Sequence, residues 1–170
     1  MTLDQVNQLD ETGARFVLGQ CCGCERWIAR VMSFRPYASP EALYDRAALE
    51  FWAVGEAGWR EAFAHHPPIG ARAEAMASVG ASAEWAADEQ KGAASAGADM
   101  REALARANRL YEKKFGYIFI VCATGKSAEE MFDMLMSRME NDPGRELAIA
   151  AAEQLKITKL RLEKLLAEGS

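Results

Sequence analysis

The chain has 170 residues, half of them hydrophobic, with a formal net charge of −5 and a pI near 5.2. That is enough apolar material for one domain that buries roughly two-thirds of its unfolded surface, so no disulfide or metal staple is required, and the acidic balance argues against nucleic acid, which needs a basic face. No apolar run approaches the roughly 18 residues of a membrane span, Met1-Thr2-Leu3-Asp4 has neither a basic nor an apolar leader, and Ala167-Glu168-Gly169-Ser170 is no peroxisomal address, so a cytoplasmic protein with no membrane partner is expected.

The pattern is helical almost throughout, without repeats or a low-complexity linker, which predicts an all-α, single-domain, multi-helix bundle over residues 1–170. Thr2 can cap a short helix through Asn7, and Asp10 a second with Phe16, Val17 and Leu18 on its inner face. A third is expected from about Cys22 to Ser33, with Trp27, Ile28, Val31 and Met32 on one buried face, ending before Arg35-Pro36. Ser39-Pro40-Glu41 is a start signal, a capping serine followed by proline at the first helical position. The helix it opens carries Leu43, Ala47, Leu49, Phe51 and Trp52, and Gly55 and Gly58 interrupt its continuation through Trp59 and Phe63 into His65. Pro67-Pro68-Ile69-Gly70 is a turn that leaves His65 and His66 at a helix end.

Residues 71–98 are rich in Ala, Gly and Ser, with one short helix near Trp85 to Lys91. Asp99 starts a strong helix through Phe115, which Gly116 ends. Tyr117 to Ala123 is aromatic, β-branched and apolar; with no second strand to pair with, it reads as a buried extended segment. Ser127-Ala128-Glu129-Glu130 is a capping box opening a Met-rich helix through Arg138. Asn141-Asp142-Pro143-Gly144 reads as a turn, and a last helix to about Leu166 places Ile149, Leu155, Ile157, Leu160, Leu162 and Leu165 on its apolar side.

Few residues offer chemistry. Cys21, Cys22 and Cys24 crowd into four positions and Cys122 stands apart; reduced thiols are expected, and zinc is disfavoured because there is no second CxxC and no HxxxH. His66, fixed beside a rigid turn, suits acid/base work, although a histidine capping helix carbonyls is the commoner use. Glu89-Gln90 lies among Ala86, Ala87, Gly92 and Ala93, whose small size lets a ligand or another backbone approach; a solvated glutamate is the plainer reading. Arg161 falls within the apolar periodicity of the last helix, as a carboxylate fork in a cleft or as a flanking surface charge. The 117–123 segment holds backbone N–H and C=O groups that a lone strand cannot pair; a planar, amide-rich ligand could satisfy them, and so could loops or water.

Taken in order, these pieces resemble the OHCU decarboxylase family (2-oxo-4-hydroxy-4-carboxy-5-ureidoimidazoline decarboxylases). The resemblance rests on the Val6-Asn7 opening, the Arg35-Pro36-Tyr37 turn, His66-Pro67-Pro68-Ile69-Gly70 and Glu89-Gln90-Lys91-Gly92. It continues through Asn108-x-x-Tyr111-x-x-x-Phe115-Gly116-Tyr117-x-Phe119 and Lys156-Ile157-x-x-x-Arg161-Leu162, spanning nearly the whole chain. It implies the family's all-α fold, no cofactor, no fused hydrolase domain, and conversion of a small-molecule substrate of urate breakdown to (S)-allantoin, with a homodimer left open. It also implies roles: His66 and Glu89 catalytic; Pro67, Gln90 and Arg161 in contact with substrate; and the backbone of Phe119, Ile120, Val121, Cys122 and Ala123 holding it. Two positions depart from the pattern. Ala86 stands where the family has a substrate-binding serine, removing a hydrogen bond worth roughly 0.5–1.5 kcal/mol, and Ile118 stands where it has a proline. A related decarboxylase or hydrolase of another ureido compound, and a non-enzymatic helical interaction module, are the alternative readings.

Overall fold

Thr2 opens the first helix with a reciprocal cap: its hydroxyl accepts from the Gln5 amide at 3.2 Å, and the Gln5 side chain accepts from the Thr2 amide at 2.8 Å. In the computed structural model, residues 1–69 and 83–167 are described. Residues 70–82, which include the first part of the Ala/Gly/Ser-rich stretch, and the last three residues lie outside them. The helices are α1 Leu3–Gln8, α2 Glu11–Cys21, α3 Glu25–Ser33, α4 Pro40–Phe63, α5 Ala83–Glu89, α6 Lys91–Ala94, α7 Ala98–Phe115, α8 Ala128–Arg138 and α9 Pro143–Ala167. No strand occurs among the described residues. The contacts divide the chain into two compact units, Met1–Ala62 with Leu155–Ser170, and Phe63–Gln154.

In the first unit the expected caps form: Asp10 accepts from the Gly13 amide at 2.7 Å and Ser39 from Ala42 at 3.2 Å. Trp27 is fully buried and its indole donates to the Ala47 carbonyl, tying α3 to α4. The Val6-Asn7 and Arg35-Pro36-Tyr37 motifs hold one another. Arg35 donates to the carbonyls of Val6 and Leu9, both at 2.8 Å, while the Asn7 side-chain amide exchanges two hydrogen bonds with the Tyr37 backbone. The Arg35–Pro36 peptide is cis. Gly55 kinks α4 at a φ of 68°, and the Trp59 indole donates to the Phe51 carbonyl one turn before the kink.

Several sequence expectations give way here. Phe16 and Leu160 are exposed rather than inward-facing, and Leu49 and Trp52 of α4 are exposed too; a helix buries only one stripe, and each neighbours residues that already fill it. The third helix starts at Glu25, with Cys22 to Cys24 non-helical before it. Gly58 does not interrupt its helix. It makes room, since a Cβ there would meet Val54 Cγ2 at 2.5 Å and Cys24 Sγ at 3.2 Å. Asn141 to Gly144 is no free-standing turn, because Asp142 accepts from the Arg145 amide and Pro143 begins α9.

Burial raises several acidic side chains, Cys22, Tyr37 and Tyr111 furthest. The Cys22 thiol goes from an ordinary 9.0 to about 12, with Cys24 adding to the effect. The Tyr37 phenol goes from 10.0 to about 12, and Tyr111 is raised by burial and by its hydrogen bond to Glu146. These groups keep their protons in the folded chain at pH values where the unfolded chain loses them. Their contribution to stability is therefore complete below pH 9 and declines as pH rises toward about 12. Urea midpoints measured from pH 8 to 11.5 are expected to hold steady and then fall above pH 9, with a shallower onset in Cys22→Ala; a flat profile would contradict this.

Candidate active site

The second unit is built on an aromatic cluster. Tyr111 stacks near Phe115, Tyr117 and Phe119, with ring centroids 4.7, 5.9 and 5.3 Å away, and Phe63 meets Tyr117 at 5.2 Å. Around it lie the chemically able groups. Helix α4 stops at Phe63, and the His66 amide donates back to the Phe63 carbonyl at 3.1 Å. His65 is exposed, His66 half-buried and Pro67 buried. Two amide side chains hold this turn. Gln90 donates to the Pro67 carbonyl at 3.4 Å, and Asn108 donates to Ile69 at 3.2 Å and to Leu104 in its own helix at 3.1 Å.

Glu89 and Gln90 sit at the break between α5 and α6. Gln90 is buried while Glu89 is half-buried. The small residues around them serve a backbone: a Cβ on Gly92 would lie 1.9 Å from the Lys126 carbonyl oxygen. The 124–127 loop therefore presses on α6 just after Glu89, and only glycine allows it. Ala86 is 1% exposed, so its methyl faces protein packing where a serine hydroxyl would need a partner.

The Tyr117–Ala123 segment is extended and, apart from half-buried Ile118, buried. Successive residues of such a chain turn their amide groups to opposite edges. One edge is paired by side chains: Arg138 Nη1 donates to Ile120 O at 2.7 Å, the Cys122 amide donates to Glu153 Oε2 at 2.8 Å, and Lys126 Nζ donates to Cys122 O at 2.7 Å. On the other edge, no hydrogen bond among the described residues falls on the backbone of Phe119 or Val121. Burial pushes the Cys122 thiol up; Lys126 opposes this, and the Glu153 and Glu89 charges add to it. Glu89 therefore lies within electrostatic reach of the segment.

Behind the paired edge is a buried polar cluster. Glu146, fully buried, accepts from Tyr111 Oη, from Arg138 Nε at 2.8 Å and from Asn141 Nδ2 at 2.8 Å, with Arg138 Nη2 also in ion-pair contact. The Arg138 guanidinium lies 4.5 Å from the centre of the Phe119 ring.

The second unit thus contains His66, Pro67, Ala86, Glu89, Gln90 and the segment Phe119 to Ala123. Arg161 belongs to the first unit, 4% exposed, where it donates to the Gln20 carbonyl at 3.1 Å and its charge acts on Cys22. The four cysteines are buried and unbridged, and no group of three His, Cys, Asp or Glu among the described residues could hold a metal ion. Among the described residues no helix is long and apolar enough to cross a membrane.

Sequence reasoning gave no role to Arg138, Glu146 or Glu153. Glu146 and Glu153 lie seven residues apart on the buried stripe of α9 with Ala150 between them. The periodicity that singled out Arg161 also runs through both carboxylates, and the alanine-rich stretch hid it. Asn108 and Gly92 stood in recognised motifs, but their partners are distant in sequence.

The family model for OHCU decarboxylase matches residues 7–163. The chain is 38% identical over 148 residues to a uric acid degradation bifunctional protein of Arabidopsis thaliana, covering 87% of this chain and 46% of that protein. It is 26% identical over 172 residues to a uric acid degradation bifunctional protein of Bacillus sp. (strain TB-90), covering 99% of this chain and 33% of that one. It therefore spans less than half the length of both. A crystal structure of an OHCU decarboxylase in the presence of (S)-allantoin superposes with a TM-score of 0.75 at 35% identity, covering 88% of this chain and 96% of that one. A motif order legible along the sequence, a matching fold and a family model over nearly the full length agree: the chain belongs to the OHCU decarboxylase family.

Proposed function

We propose that this protein is a carboxy-lyase that decarboxylates 2-oxo-4-hydroxy-4-carboxy-5-ureidoimidazoline to (S)-allantoin in the oxidative breakdown of urate. The observation that carries this reading is the tie between the two motif turns. Gln90, beside Glu89, bonds the carbonyl of Pro67, next to His66, and Gly92 of the same motif packs against the Lys126 carbonyl just beyond the open-edged segment. An imidazole, a carboxylate and unpaired backbone amides suit a planar ureide bearing a carboxylate.

The substrate's carboxyl-bearing carbon adjoins a ring carbon double-bonded to nitrogen. When the bond to CO2 breaks, its electron pair forms a carbon–carbon double bond and the imine pair moves to nitrogen, which takes up a proton. The resulting enol then gives up its hydroxyl proton and gains one at the ureido carbon, forming the allantoin carbonyl. The substrate brings its own electron sink, so the chemistry calls for no separate one. The protein's task is to orient the carboxylate and deliver a proton to one face.

In this reading His66 donates to, or hydrogen-bonds, the substrate hydroxyl or ring. Glu89 holds the ureido group and helps place the proton. Arg161 grips a carbonyl or carboxylate oxygen, and the backbone of Phe119 to Ala123 fixes the ring amides. The test is optical: the unstable substrate is generated in place from urate by the two preceding enzymatic steps, and circular dichroism is followed after this protein is added. A fast signal of one hand is expected. A signal no faster than the spontaneous racemic background would overturn the reading and send the search to other ureido compounds.

A further inference from the structure

A single extended segment with no neighbouring strand has nothing in its own backbone to fix its position, yet the proposed reaction requires its amides to stand at a set distance from substrate. We propose that Arg138 is a positioning residue for this reaction: backed by Glu146 and Tyr111, it fixes the inner edge of the Phe119–Cys122 backbone and so sets where Phe119 and Val121 present their groups. This rests on the functional reading above and deepens it.

The geometry is specific to arginine. Its planar fork donates in two directions at once: Nη1 goes to the Ile120 carbonyl at 2.7 Å, and Nε goes to Glu146 at 2.8 Å. The guanidinium also lies 4.5 Å from the Phe119 ring centre, so it touches the segment through both a carbonyl and a side chain. Glu146 cannot swing away, because Tyr111 and Asn141 occupy its oxygens from other sides. Replacing a buried ion pair with apolar residues is often neutral for stability or even stabilising. What this pair supplies that apolar packing cannot is a hydrogen bond of fixed direction at Ile120. Glu153 and Lys126 hold Cys122 in the same way one residue pair further on, so the inner edge is clamped at two points.

Arg138→Lys tests this. Lysine keeps the charge beside Glu146, but as a point donor it cannot also reach Ile120. The variant is expected to fold with a melting temperature near the native one. Its KM should rise about 10- to 100-fold with a smaller change in kcat, since remote misplacement of a binding group is costly. Hydrogen exchange in the 117–123 segment should quicken while the helices stay protected. Native KM together with native exchange would overturn the proposal. Should Arg138→Lys not fold, Tyr111→Phe loosens Glu146 and leaves the ion pair. Raised KM and faster exchange in it support the proposal, and native values of both overturn it. If the unaltered protein has no decarboxylase activity, the functional reading is what has failed; exchange then still decides the proposal, and unchanged protection in Arg138→Lys overturns it.

Discussion

His66→Ala is expected to slow decarboxylation by about 100-fold or more, the usual loss when a general acid or base is removed. Stability should change by less than about 1 kcal/mol, because the half-buried ring sits at a helix end outside the core. The turn carrying it is held by Gln90 and Asn108 through the Pro67 and Ile69 carbonyls, neither of which involves the imidazole. The pair of measurements, turnover and melting temperature, separates chemistry from folding. Glu89→Gln should give a loss of similar kind, and the double variant should lose little more than either alone, since groups acting on one proton are not additive. Full activity in His66→Ala would remove the histidine from the mechanism.

Glu146→Ala is expected to destabilise the fold by about 3–5 kcal/mol, the cost of leaving a buried charge without its partner. Arg138 is 7% exposed and Glu146 is fully buried, so water cannot easily replace the lost carboxylate. Tyr111 and Asn141 would lose their acceptor in the same step. Urea denaturation measures the loss, and a change under about 1 kcal/mol would show that the cluster relaxes around the gap. The double variant Arg138→Met with Glu146→Leu should recover most of the stability, because apolar side chains of similar volume can fill the site. It should not recover KM, because the hydrogen bond to Ile120 is gone. A double variant with native KM would confine the cluster's role to stability.

Local sequence signals fixed much of the secondary structure for local reasons. Asp10, Ser39 and Ser127 satisfy orphan amides within three residues of themselves, so the starts of α2, α4 and α8 were legible. Gly116 reaches its φ of 80° without strain and closes α7 where expected. The lone extended segment was also legible, since its β-like run has no companion. Which side chains face inward was less so. Leu49, Trp52 and Leu160 are apolar yet exposed, while Glu146, Glu153 and Arg161 are charged yet buried. A helical stripe is set by what packs against it, and in α9 the alanines blur its edge.

The candidate site divides along the same line. By itself the sequence determined which groups are available, His66, Glu89, Gln90 and Arg161, because residue type and motif order are one-dimensional properties. Only the tertiary structure decided how they are held. Gln90 reaches Pro67 across 23 residues, Asn108 reaches Ile69 across 39, and Glu153 reaches Cys122 across 31. It also decided that Gly92 makes room for the Lys126 carbonyl and that the segment's inner edge is paired by side chains instead of a strand. Such contacts depend on how the chain folds back on itself, and no spacing within a short window encodes that.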